Sequence, residues 1–150
     1  MRQFRNEKEA CIWCTENGQI LTDQEVEKER ILTGVMLAEE DFIVAQEAMK
    51  KKHWNSCYKM HYDVLHQLAE AYVLIDKIKS RTHHCLFAYL CAQHPELELD
   101  WNFLEKVRTK RNGINYYGTP VQEKDWKEVT LQFQLYIRLL QERIKKYLEK

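Results

Sequence analysis

Residues 38–75 read AEEDFIVAQEAMKKKHWNSCYKMHYDVLHQLAEAYVLI, and the spacing of their apolar side chains decides the fold. With Val35 just upstream, Ala38, Phe42, Ala45 and Met49 recur at alternating steps of three and four, the stripe that one helix face presents to a core. The spacing predicts a helix from about Glu27 that ends in Lys50-Lys51-Lys52, cations that the C-terminal end of a helix dipole favours. His53 to Ser56 reads as a turn, with Ser56 as the cap of a second helix. The stripe of that helix, Val64, Leu68, Ala71, Ile75 and Ile78, keeps the same period. Two helices joined this closely pack as an antiparallel pair.

Downstream the pattern continues. Thr82 is a predicted N-cap for a shorter helix through Leu86, Ala88, Tyr89 and Leu90 to about Gln93, and Pro95 closes it. Asp100 caps the next helix, with Leu99 placed to staple onto Leu104, and Gly118 suits its left-handed end. Thr119-Pro120-Val121-Gln122 then combines an N-cap, a proline at the first helical position and a capping-box glutamine. The last helix carries the stripe Trp126, Val129, Phe133, Tyr136, Leu140, Ile144 and Tyr147. The expectation is an all-α chain of about five helices in an up-and-down bundle spanning residues 28–150. Residues 1–27, polar and poorly periodic, form an N-terminal extension.

Composition agrees with that class. Gly and Pro are few, alternating β-branched runs are missing, and helix formers are plentiful. A chain of 150 residues can bury roughly 70% of its unfolded surface. The 23 basic and 23 acidic residues cancel, so no global field argues for a nucleic-acid or membrane partner and any such signal must be local. No apolar run approaches the length of a membrane span and the N-terminus has no apolar signal core. With an odd number of cysteines in no framework-like spacing, the chain reads as cytoplasmic and soluble, in a reducing compartment.

The local signal lies in RTKRNGINYYG, residues 108–118. At 100° per residue, Phe103, Leu104, Val107 and Ile114 fall within one apolar arc, and Arg111 falls inside it. A cation on a face that should be buried is expensive unless it is paired or lines a cleft or interface; the bland alternative is an arginine that snorkels at the edge of that face. Asn112 and Asn115 add amides, Tyr116 and Tyr117 add hydroxyls and stacking faces, and Lys106, Arg108 and Lys110 add charge outside the arc. Donors, aromatics and cations together suit a phosphodiester and its bases.

Residues 38–75, then RTHHCLFAYL, then RTKRNGINYYG before a long final helix, resemble the HEPN domain (higher eukaryotes and prokaryotes nucleotide-binding) over about residues 28–150. The resemblance implies a helical bundle that often dimerises and brings two such motifs into one cleft. It also implies metal-independent ribonuclease activity of toxin or defence type, commonly held by a nucleotidyltransferase antitoxin. The family signature is an Arg, commonly followed by Asn, then a His after four to six residues. Arg111 and Asn112 match it; after four intervening residues the chain has Tyr116, and no His follows His94. Metal-free RNA cleavage needs one group to deprotonate the 2′-hydroxyl and another to protonate the leaving oxygen, work that a near-neutral imidazole suits and an ordinary tyrosine does not.

Two function classes follow. In the first, Arg111, Asn112 and Tyr116 are the catalytic set of an altered ribonuclease and Arg108, Lys110, Asn115 and Tyr117 hold RNA or nucleotide. In the second, the chain is a non-catalytic binding or scaffold protein that docks on a nucleotidyltransferase through its helical faces, with the motif serving the dimer interface; nucleotidylation of Tyr116 or Tyr117 by such a partner marks a regulated toxin instead. A homodimer is expected in the first, and no cofactor in either. Competing signals are weaker. Cys11 and Cys14 form a CxxC with no second pair, the minimum for a zinc module, while Cys57, Cys85 and Cys91 read as isolated buried side chains. His83 and His84 open a helix, where paired ring donors could serve a ligand, although polar first-turn contacts are the commoner explanation. His61 and His66 lie too far round a helix to share a metal. Trp54, Tyr58 and the triple lysine read as core, rim and solvated helix end.

Overall fold

Tyr58, Tyr62, Leu65, Leu68 and Ala69 are all almost fully buried on one helix, α3 (Trp54–Ile75), which is the spine of the molecule. The computed structural model describes residues 3–23 and 25–150. Around α3 stand α2 (Lys28–Lys50) and α6 (Glu123–Leu148), with α4 (His83–Gln93) and α5 (Trp101–Tyr117) on its remaining flank. The bundle is all-α apart from one small ribbon. Among the described residues there are six α-helices rather than five, because α1 (Glu7–Glu16) forms within the N-terminal segment and packs against α4.

The helix-forming logic holds residue by residue, with shifts at the ends. Ile31, Val35, Ala38 and Ala45 of α2 are buried as the stripe requires, and Trp126, Val129, Phe133, Leu140 and Ile144 of α6 likewise. Each large apolar side chain so buried contributes about 1.5–3 kcal/mol. Thr82 caps α4 by accepting from the Cys85 N–H, and Asp100 caps α5 by accepting from the Asn102 N–H. Gly118 ends α5 at φ 61°, a left-handed position that a side chain would strain.

Four details differ from expectation. Ser56 is not a cap, since α3 already begins at Trp54. Helix α6 begins three residues later than the Thr-Pro pair, and its capping box joins Gln122 to Asp125. Ile78 leaves the helical stripe: α3 stops at Ile75, and Lys77 takes φ 60°. The chain then forms β2 (Ile78–Ser80), antiparallel to β1 (Ile20–Thr22), with Ile20 opposite Ser80 and Thr22 opposite Ile78.

The N-terminal segment is tied to the bundle covalently as well. Cys14 of α1 and Cys85 of α4 form a disulfide, 71 residues apart in sequence. This corrects the reading of Cys85 as an isolated side chain and of Cys14 as half of a zinc pair. Sequence spacing is silent about a pairing that only the α1–α4 packing creates. Cys11, Cys57 and Cys91 are buried thiols. Among the described residues no group of His, Cys, Asp and Glu is arranged to hold a metal, and no helix is long and apolar enough to cross a membrane.

Candidate nucleic-acid interface

Helix α5 brings its cations to α3, α4 and α6, and each is met by a carboxylate. Lys106 lies 3.3 Å from Glu128 and Lys110 lies 3.8 Å from Asp125, both on α6. Arg108 Nε donates to Glu105 at 2.7 Å. Arg111 Nη2 donates to Asp63 of α3 at 3.1 Å, and its guanidinium carbon sits 5.8 Å from the centre of the Tyr62 ring.

The buried cation is Arg108, at 7% exposure, and not Arg111, whose side chain is 22% exposed. This corrects the arc drawn from sequence, which left Arg108 outside. Trp101, Leu104 and Arg108 share a face at helical spacing, and α5 packs on α4 as well as on α3, so two of its flanks are covered rather than one. Arg111 stands at the rim, where its Nε is buried and has no hydrogen-bond partner among the described residues. Asn112 is half-buried beside it, and Asn115 is exposed a turn further on. Tyr116 and Tyr117 project into solvent at 76% and 83% exposure at the end of the helix. The sequence-derived set therefore runs along the last turns of α5, from a paired arginine to two bare aromatic rings that point round the helix from it.

Beside Arg111 lies a cluster that the motif does not include. His66 of α3 and His83 of α4 stack with ring centres 3.6 Å apart. Glu70 lies 3.0 Å from His66 Nε2, and the Tyr62 hydroxyl is 2.9 Å from His83 Nδ1. Phe87 packs edge-on against both Tyr62 and His66. Burial, then the charges of His66 and Arg111, lower the pKa of His83 from its ordinary 6.5 to about 4, so the ring is neutral at pH 7. The hydrogen bond from His66 holds the Glu70 carboxyl below the usual carboxylate range. The sequence signal was present, since His83 opens a helix and His66 follows Tyr62 by one turn. What sequence could not supply is the α3–α4 contact that stacks them.

A second network runs along the other flank. His84 bonds Glu105, which also accepts from Arg108, and Phe4 and Trp101 contact the His84 ring at 5.4 Å and 5.2 Å. A cleft of about 310 Å³ opens there between Phe4, Trp101 and Arg108. Burial raises the Glu105 carboxyl, but His84 and Arg108 outweigh it and leave the pKa lowered.

His61 is structural. It is fully buried, with Nδ1 2.8 Å from the Cys57 carbonyl and Nε2 2.9 Å from Gln46, and it packs on Trp126. His94 bridges Asp76 at 2.5 Å and Glu96 at 2.9 Å at the far end of the bundle.

Comparison with protein-family models, with curated proteins and with solved structures gives no match.

Proposed function

We propose that this chain is a HEPN-type RNA-binding protein acting as a metal-independent ribonuclease of toxin or defence type, cytoplasmic and homodimeric. The observation that carries the reading is the segment from Arg111 to Tyr117. A guanidinium held at a rim by Asp63 and Tyr62 offers charge to a phosphate, and two solvent-exposed tyrosines about one and a half turns further along the helix offer faces to the bases. In this role Arg111 exchanges Asp63 for the phosphodiester, Asn112 and Asn115 supply amide contacts, and Tyr116 and Tyr117 stack. Arg108 and Lys110 add field, already shared with Glu105 and Asp125.

The test is binding and cleavage of labelled single-stranded RNA by the purified chain and by Arg111→Ala. Loss of binding in the variant supports the reading; RNA that is neither bound nor cut by the wild-type chain contradicts it.

A second reading is a non-catalytic scaffold that pairs with a nucleotidyltransferase and stays unmodified, supported by the pairing of Arg108 with Glu105 and of Lys110 with Asp125, which leaves less free charge for RNA. Mass measurement after incubation with such a partner and ATP separates the two, a mass gain on either tyrosine marking a regulated toxin.

A further inference from the structure

We infer that His66 and His83, contributed by two helices outside the arginine motif, are the acid–base pair of the RNA cleavage proposed above, on which this assignment rests. Three geometrical facts lead to it. The two imidazoles stack at 3.6 Å, so a charge on one opposes a charge on the other. Each ring is oriented by a different partner, His83 by the Tyr62 hydroxyl and His66 by the Glu70 carboxylate. Tyr62 also lies under the Arg111 guanidinium, so the phosphate-facing arginine and the imidazole pair share one side chain. Both histidines are half-buried, the His66 side chain at 14% exposure.

The chemistry balances without metal or oxidant. His83, with its Nδ1–H donating to the Tyr62 oxygen, keeps a lone pair on Nε2 and takes the proton of a ribose 2′-hydroxyl. The 2′-oxygen then forms a bond to phosphorus and the bond from phosphorus to the 5′-oxygen of the next nucleotide breaks. His66 gives its proton to that leaving oxygen. The products are a 2′,3′-cyclic phosphate and a 5′-hydroxyl, and the two imidazoles end with their protonation exchanged. Arg111 faces the phosphate throughout. The groups that bear on the pair are Tyr62 and Glu70 from α3 and Arg108 and Arg111 from α5, with the Phe87 ring of α4 edge-on to His66. The positive charges disfavour a second proton on His83, whereas Glu70 favours one there.

The experiment uses the full chain, EDTA and a fluorophore-labelled single-stranded RNA of mixed sequence, with the same sequence as DNA beside it. Expected are cleaved RNA with cyclic phosphate ends, intact DNA, and a rate lowered at least about a hundredfold in His66→Gln and in His83→Gln with RNA affinity kept. Tyr62→Phe, which keeps the ring and removes the hydroxyl on His83, is expected to lower kcat, leave KM in place and shift the pH profile. It decides the matter should either glutamine variant fail to fold. Full-rate cleavage in folded variants of all three overturns the acid–base assignment and leaves the RNA reading standing. RNA bound but never cut by the wild-type chain overturns the assignment together with the ribonuclease part of the reading and leaves RNA binding standing. RNA neither bound nor cut overturns both.

Discussion

Asp63 Oδ1 accepts from Arg111 Nη2 at 3.1 Å, so a carboxylate of α3 fixes the last cation of α5 at the rim of the bundle. The two side chains are 38% and 22% exposed, a setting in which water screens much of the attraction. Arg111→Ala is therefore expected to lower the stability to unfolding by no more than about 1 kcal/mol. Urea denaturation of wild type and variant checks this and establishes that a functional defect in Arg111→Ala is not a folding defect.

The core makes the opposite prediction. Phe133 is fully buried and its ring meets those of Tyr58, Phe103 and Trp126 within 6 Å. Phe133→Ala is expected to cost about 3–5 kcal/mol, from lost transfer energy and the cavity left behind. A loss under about 1 kcal/mol in a denaturant titration would contradict the packing of α6 on α3.

The disulfide is directly countable. With Cys14 and Cys85 joined, denatured protein that has never met a reductant should titrate as three thiols, Cys11, Cys57 and Cys91. Closing a long segment of chain constrains the unfolded state, so Cys85→Ser is expected to destabilise by about 2–4 kcal/mol. Five titratable thiols in the oxidised preparation would refute the α1–α4 tether. Structural disulfides persist chiefly in oxidising surroundings, so the same count on protein taken from cells under thiol block bears on the cytoplasmic placement.

Acid should weaken the fold through its buried histidines. Burial lowers the pKa of His61 from 6.5 to about 4, despite the Cys57 carbonyl that raises it. A pKa depressed in the folded state means that the unfolded chain binds the proton more tightly. The stabilisation is therefore whole above about pH 6.5 and lost as pH falls towards 4, and His83 acts with the same sign. His94 runs the other way. Burial opposes its charge, but Asp76 and Glu96 outweigh this and raise its pKa, so its contribution is present at low pH and fades on the alkaline side. Urea midpoints measured at pH 7, 5.5 and 4.5 should fall in that order, and His61→Gln should flatten the slope.

Most of the fold was legible because it rests on periodicity, and periodicity is local. Val35 to Met49 and Trp126 to Ile144 announce their buried faces without reference to any partner helix. What was not legible depended on contacts distant in sequence. Ile78 continued the α3 stripe in sequence but pairs in a ribbon with Thr22, because residues 20–22 supply an edge for it. Cys14 and Cys85 carry no mark of their pairing. Arg108 read as a cation outside the apolar arc until α4 covered it, and Arg111, placed within that arc, lies at its rim paired with Asp63. The site followed the same division. The segment from Arg111 to Tyr117 is contiguous in sequence and so stands out there as a candidate, whereas the stacked His66 and His83 come from two helices and become a pair only where those helices meet.

The central claim is that this segment binds RNA through Arg111, and the most direct measurement is fluorescence anisotropy of a labelled single-stranded RNA titrated with the chain. The account predicts binding that weakens as salt is raised, since phosphate contacts release counterions, and at least about a tenfold loss of affinity in Arg111→Ala with its stability kept. Equal affinity for wild type and Arg111→Ala, or no binding at low salt, would contradict it.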